Sequence, residues 1–356
     1  MSGHDWGVRL SDRVRGALAA GDLAAARRLV LEGDGQARSL EKEYSLMYRG
    51  LGITLRALLD LAPGALGRMP ERELAGSALV ALLGRFRDEM RELMARAYGA
   101  PATDSAIEGA RGAGAAGAGA PAVERATGEM RRALVAAEAL FIREQARLAR
   151  QVVAALDAGD VAGAGRLIDV KEREQYVPLH DRMIRFMAEV FAWVFEHGGP
   201  AGLLRFHRDT AEGQREGFER WERLPAAEFA RATAFLLKQH MGLVQVSEDH
   251  EKFTVEQTPC GSGGRLRLLG AYAGAQALPV VEAAGPLTSG EARLPVYCTH
   301  CPIWNGLAPL EWFGRPHWVF DRPSRPDGSC TLHIYKARDG APAEYARRLG
   351  LARPGP

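Results

Sequence analysis

The first 259 residues of this 356-residue chain contain no cysteine, and all four of its thiols, Cys260, Cys298, Cys301 and Cys330, follow within the last third. A chain so divided must build a terminal region with chemistry of its own. The thiols stand in Thr-Pro-Cys-Gly-Ser-Gly-Gly, Tyr-Cys-Thr-His-Cys-Pro and Cys-Thr-Leu-His-Ile-Tyr-Lys. Cys298-Thr299-His300-Cys301 has the spacing at which two thiolates grip one tetrahedral ion, and Cys260 and Cys330 are the obvious further donors. The expected site is therefore a metal centre for zinc or another divalent transition metal. With all four thiols bound it is closed and structural; with Cys330 outside, a water or substrate takes the fourth position. A redox pair of Cys298 and Cys301 is the rival reading. That motif opens a helix after a strand in a βαβ unit, a pattern missing here.

The totals narrow the partners. The formal charge is +2, from 46 basic and 44 acidic residues, so there is no electrostatic footprint for nucleic acid. The start, Met-Ser-Gly-His-Asp-Trp-Gly, is unlike a secretory signal, and no apolar run is long enough for a bilayer. The expectation is a soluble, cytoplasmic protein with no membrane partner. In a reducing compartment, clustered thiols point to metal or redox chemistry rather than to disulfides.

The first two-thirds read as helical. Ser11 to Ala20 and Leu23 to Glu32 carry apolar residues at three- and four-residue intervals, broken at Gly21-Asp22, where Asp22 can cap the second helix. The run Ala17-Leu18-Ala19-Ala20-Gly21-Asp22 is echoed by Ala155-Leu156-Asp157-Ala158-Gly159-Asp160, and Pro63–Arg68 by Pro200–Arg205. Two copies favour paired helical subdomains packed as a bundle rather than a solenoid. The expected organisation is a first helical repeat over 1–98, an Ala/Gly/Pro tether over 99–122, a second repeat over 123–241, a Cys-rich α+β module over 242–340 and a tail over 341–356. Glu43, Tyr44 and Tyr48 in the first copy, and Glu172, Glu174, Tyr176, His180, Asp181, His197, His207 and Asp209 in the second, are candidates for a ligand pocket. Solvated or capping residues give the same pattern. His180 and Asp181, being adjacent, are expected on different faces. Met183, Phe186, Met187 and Phe191 share one face and read as core.

Beyond the helix expected over Pro225 to Met241, the pattern changes to short alternating runs. Leu243–Val246 and Phe253–Glu256 flank a polar tip and read as a β-hairpin, with further strands at Arg265–Leu269, His317–Phe320 and Thr331–Tyr335. The fold class is thus α+β, a duplicated helical bundle followed by a smaller module with an antiparallel sheet. Gly261, Ser262 and Gly263 can form a concavity of backbone N–H groups for a substrate anion, or merely a turn that delivers Cys260. Glu248 and His250 at the hairpin tip, with His300, are the general acid/base candidates; a tip also gathers polar residues for solvation alone. Trp312 and His317 are candidate substrate contacts, or part of a β-edge core.

The order of Pro-Cys at Cys260, Tyr-Cys-Thr-His-Cys at Cys298 and Asp-Gly-Ser-Cys-Thr-Leu-His-Ile-Tyr-Lys ending at Lys336 resembles the C-terminal part of the L-2-amino-thiazoline-4-carboxylic acid hydrolase-like family. It is more distantly similar to small-molecule-binding domains of the 4-vinyl reductase type. The first resemblance implies ring-opening hydrolysis of a small heterocycle, and the second a ligand pocket supported by zinc on Cys260, Cys298, Cys301 and Cys330. The duplicated helical half and the Gly-Ser-Gly-Gly turn depart from both. Three functions follow in order of expectation: a metal-dependent hydrolase or lyase acting on a small polar molecule, a small-molecule-binding module with a structural zinc, and a thiol redox protein.

Overall fold

The computed structural model describes residues 2–32, 40–66, 72–113, 121–322 and 324–351. It is α+β, mostly helical with a small antiparallel sheet. Contacts divide the chain into a helical unit, Val8–Pro63 with Glu73–Met183, and a sheet unit, Met1–Gly7, Gly64–Arg72 and Ile184–Pro356.

The helical unit runs through α1 (Leu10–Ala19), α2 (Leu23–Glu32), α3 (Leu40–Leu66), α4 (Arg72–Tyr98), α5 (Ala100–Gly109), α6 (Ala122–Asp157) and α7 (Val161–Asp169). A π-helical turn at Val170–Tyr176 then leads into α8 (Val177–Glu212). The echo in the sequence is a repeated turn. Gly21 and Gly159 take φ of 74° and 75°, a left-handed conformation that suits glycine. Asp22 accepts from Ala25 N at 2.8 Å and Asp160 from Gly163 N at 2.7 Å, each capping the following helix. The two hairpins pack on each other, α1 on α7 and α2 on α6, with Arg27 bonded to Asp157 at 2.6 Å.

The repeat does not extend to the domain boundaries. The division of contacts falls inside α8, at Ile184, and Pro63–Arg68 lies partly outside the described residues. The expected tether is also helical in part, because α5 occupies Ala100–Gly109 and packs on α6. Alanine carries the highest helix propensity, Pro101 suits a first turn, and Thr103 Oγ1 donates to Gly99 O at 3.0 Å. The centre of that tract, 114–120, lies outside the described residues.

In the sheet unit, the rest of α8 bends at Gly199, where φ is 62° ahead of Pro200. The strands are β1 (Ser2–His4), β2 (Val244–Glu248), β3 (Lys252–Gln257), β4 (Val280–Val281), β5 (Leu294–Pro295), β6 (Val319–Arg322) and β7 (Cys330–Tyr335). The main sheet has the order β1-β2-β3-β7-β6 and is antiparallel throughout. Alternating side chains cover one face, Val246, Phe253, Val255, Phe320, Leu332 and Ile334 among them, and α10 (Ala226–Gln239), which follows α9 (Arg215–Glu222), packs there through Phe229, Ala230 and Leu237. Trp318 Nε1 donates to Thr233 Oγ1 at 3.1 Å and ties β6 to that helix. The expected hairpin and the strands at β6 and β7 are present. Arg265–Leu269 is a correction: it belongs to α11 (Gly263–Leu268), because Cys260 O and Ser262 O accept from Arg265 N and Leu266 N and start a helix despite the alternating pattern. The unit closes with α12 (Ala308–Phe313) and α13 (Ala343–Arg348).

Candidate functional site

A strand end, a loop and two tight helical turns deliver the thiols. Cys330 opens β7 opposite Gln257, the last residue of β3, and Cys260 follows three residues later, its N–H donating to Gly328 O at 2.9 Å. Glycine is required along this crossing. A Cβ on Gly263 would lie 2.5 Å from Cys298 Sγ, one on Gly264 would strike Gly328 O, and one on Gly261 would strike His240 O. The Gly-Ser-Gly-Gly run therefore serves backbone contact around Cys260. Ser262, within it, hydrogen-bonds the phenol of Tyr297 and lies 3.6 Å from Cys260 Sγ. Cys298 sits in a 3₁₀ turn, Val296–Thr299, and Cys301 precedes a π-helical turn, Pro302–Leu307.

Cys260 and Cys301 pack against the core cluster that holds Cys330, and Cys298 Sγ lies against Gly263. Burial pushes Cys298 up to about 12; Cys260 adds to this, while a hydrogen bond to Ser324 and the charge of Arg267 oppose it. Burial raises Cys301 well above the ordinary thiol range, and the fields of Cys298, Cys330 and Cys260 raise it further. Cys330 is raised by burial and then by Cys260 and Cys298. These thiols are protonated at neutral pH, the opposite of an activated nucleophile.

Two imidazoles stand beside them. His300 Nδ1 lies 2.5 Å from Tyr297 O, so it donates there, and the lone pair of Nε2 faces Cys301 Sγ at 3.4 Å. Burial lowers His300 to about 4, leaving it neutral. Thr299 Oγ1 spends its hydrogen on Val296 O at 2.7 Å, so His207 Nε2 must be the donor to that hydroxyl at 2.9 Å. His207 Nδ1 is then a buried acceptor with no partner among the described residues, and Trp304 Nε1 a buried donor with none. The rings of His207 and Trp304 meet edge-on at 6.2 Å, with Phe191 4.7 Å from His207. His207 appeared in the sequence only as one of many helical candidates; Thr299 and Trp304 gave no signal, since hydroxyl and indole residues are common in cores.

The remaining candidates are not brought to the thiols. Glu248 pairs with Lys336 Nζ at 2.7 Å and His4 Nε2 at 2.8 Å, at the end of the sheet opposite the Gln257–Cys330 pair. His250 is at the hairpin tip with its side chain 88% exposed. The register keeps both apart from the Gln257–Cys330 end: Glu248 faces Phe253, and three residues of β3 separate that pair from Gln257. Trp312 packs on Phe218 and under Arg215, and buried His317 bonds Glu222 Oε2 at 3.0 Å, a carboxylate that also holds Arg315 at 3.1 Å. These partners lie on α9. His180 and Asp181 are likewise corrected: Nδ1 meets Oδ1 at 3.0 Å instead of diverging.

Among the described residues, no group of three or more His, Cys, Asp or Glu side chains is arranged to hold a metal ion. The thiols as placed are not a ligand set. No described helix is long and apolar enough to cross a membrane. Compared with known proteins, the chain matches no family model, no curated protein and no solved structure.

Proposed function

We propose that the sheet unit is a small-molecule-binding module whose cysteine centre is a structural element. The observation that carries this is the buried, unpaired His207 Nδ1, an acceptor, with the unpaired Trp304 Nε1, a donor, beside it. Unpaired buried polar atoms are costly, and a small polar molecule offering both a donor and an acceptor would satisfy them. The raised thiols and the backbone packed against them support a structural centre over a reacting one. Zinc enters this reading only as a structural ion that would draw Cys260, Cys298, Cys301 and Cys330 together and favour their thiolates. Elemental analysis tests that part separately; metal-free protein with four free thiols removes it.

A second reading rests on one contact. With His300 Nδ1 anchored on Tyr297 O, its Nε2 can take the proton of Cys301, the geometry of a thiol nucleophile and its base in a hydrolase. L-2-amino-thiazoline-4-carboxylate, whose ring carries donors and acceptors, serves as the probe for both. Calorimetric binding without loss of the heterocycle, abolished in His207→Phe and kept in Cys301→Ser, supports the binding module. Consumption of the heterocycle that stops in folded Cys301→Ser supports the hydrolase. Absence of both binding and consumption counts against each.

A further inference from the structure

The helical unit has a polar interior that the sheet unit's chemistry does not use. Its centre is the π-helical turn Val170–Tyr176, an irregularity that inserts an extra residue and is frequent at functional sites. Lys171, on this turn, is 1% exposed; its Nζ donates to Gln145 O at 2.8 Å, and Gln145 Nε2 donates to Lys171 O at 3.3 Å. Glu172, 3% exposed, accepts from Tyr44 OH at 2.6 Å and from Arg15 Nη2 at 3.2 Å. These ionic groups are matched to partners.

Other buried side-chain atoms are not, and besides the hydroxyls of Ser11 and Ser45 they number four. Tyr48 OH, Tyr98 OH, Gln145 Oε1 and Gln175 Oε1 have no hydrogen-bond partner among the described residues. They lie on neighbouring stretches of α3, α4, α6 and the π-helical turn, where Gln145 reaches Lys171 O, four residues before Gln175. Tyr48 stacks on Phe141, one helical turn before Gln145 on α6, at 4.7 Å. Gln175 Nε2 donates to Ala97 O at 3.4 Å, next to Tyr98, and Tyr48 lies within the electrostatic reach of Tyr98. Tyr48 is 1% exposed and Gln145 is fully buried. Because both glutamines commit their NH₂ groups to main-chain carbonyls, their free atoms are oxygens, which can only accept. The phenols, held un-ionised by burial, can donate.

We propose that Tyr48, Tyr98, Gln145 and Gln175 form a binding site for a small molecule bearing a primary amide or urea group. The two glutamine oxygens accept its N–H hydrogens and the phenols donate to its carbonyl. An anion is excluded by the same set, since two carbonyl dipoles point negative charge at it and no cation is left uncommitted. The site lies wholly in the helical unit and is independent of the function proposed for the sheet unit.

Acetamide and its isosteric anion acetate are the probes. Saturation-transfer NMR on the full chain is expected to show acetamide bound and acetate not, with the acetamide signal lost in Tyr48→Phe and in Gln175→Leu. Tyr48→Phe is also expected to raise the melting temperature of the free protein, because it removes a buried unpaired hydroxyl. If Gln175→Leu does not fold, Tyr48→Phe alone decides. Equal binding of acetate, acetamide binding retained in Tyr48→Phe, or crystals in which waters fill the four positions and acetamide does not displace them would each overturn the proposal.

Discussion

At the scale of single residues, burial decides which groups titrate and which react. Cys298, Cys301 and Cys330 are raised by desolvation, so a disulfide reagent at pH 8 is expected to leave all three unmodified in the native chain and to reach them only on unfolding. A fast-reacting Cys301 in folded protein would favour the hydrolase reading. His317 tests the other direction. Burial lowers it to about 4, Arg315 acts the same way, and Glu222 opposes them. In the unfolded chain it titrates near its ordinary value, so between about pH 6.5 and 4 the unfolded state binds the extra proton. The native state therefore keeps this stability above about pH 6.5 and loses it as pH falls, by at most ~3 kcal/mol. Melting curves of His317→Gln should show a weaker acid dependence over that window, and an unchanged slope would count against it. None of these shifts is visible in a sequence, because His317 and His250 are the same residue there; one is buried against Glu222 and the other is exposed at a turn.

At the scale of elements, the turns were the most legible features. Gly-Asp punctuation located both α-helical hairpins because the left-handed glycine and the capping aspartate are each local requirements. Asp160→Ala is expected to cost about 1 kcal/mol by denaturant titration, the usual size of a lost N-cap. The Gly-Ser-Gly-Gly run was legible as a turn, but its reason was not, since it depends on His240 and Gly328 arriving from distant parts of the chain. Gly261→Ala should destabilise by about 1–3 kcal/mol through overpacking. Gly285→Ala, where an added Cβ meets nothing within 4 Å, is the control and should be near neutral. Arg265–Leu269 misled for the opposite reason: leucines alternating with arginines match a strand, and backbone acceptors at Cys260 and Ser262 override that pattern. β1 was invisible because three residues give no periodicity, and only pairing with β2 defines it.

At the scale of the molecule, composition and cysteine position separated a helical region from a sheet-bearing one, but not where one ends. α8 carries no break in its pattern at Ile184, so the boundary is a matter of long-range packing. All six tryptophans, Trp6, Trp193, Trp221, Trp304, Trp312 and Trp318, fall in the sheet unit. Tryptophan fluorescence therefore reports that unit, whereas far-ultraviolet dichroism is dominated by helix. Gly261→Ala is expected to lower the fluorescence midpoint more than the dichroism midpoint, and equal shifts would show a single cooperative transition. The π-helical turn has a genetic corollary. Loss of one codon within 170–176 would let the run from α7 into α8 close as ordinary α-helix, with hydrogen bonding intact and the flanking helices kept near their present faces, because the turn is what absorbs the extra residue. Such a deletion would pass as silent by helix content and fall only on the turn's own contacts, that of Lys171 with Gln145 among them.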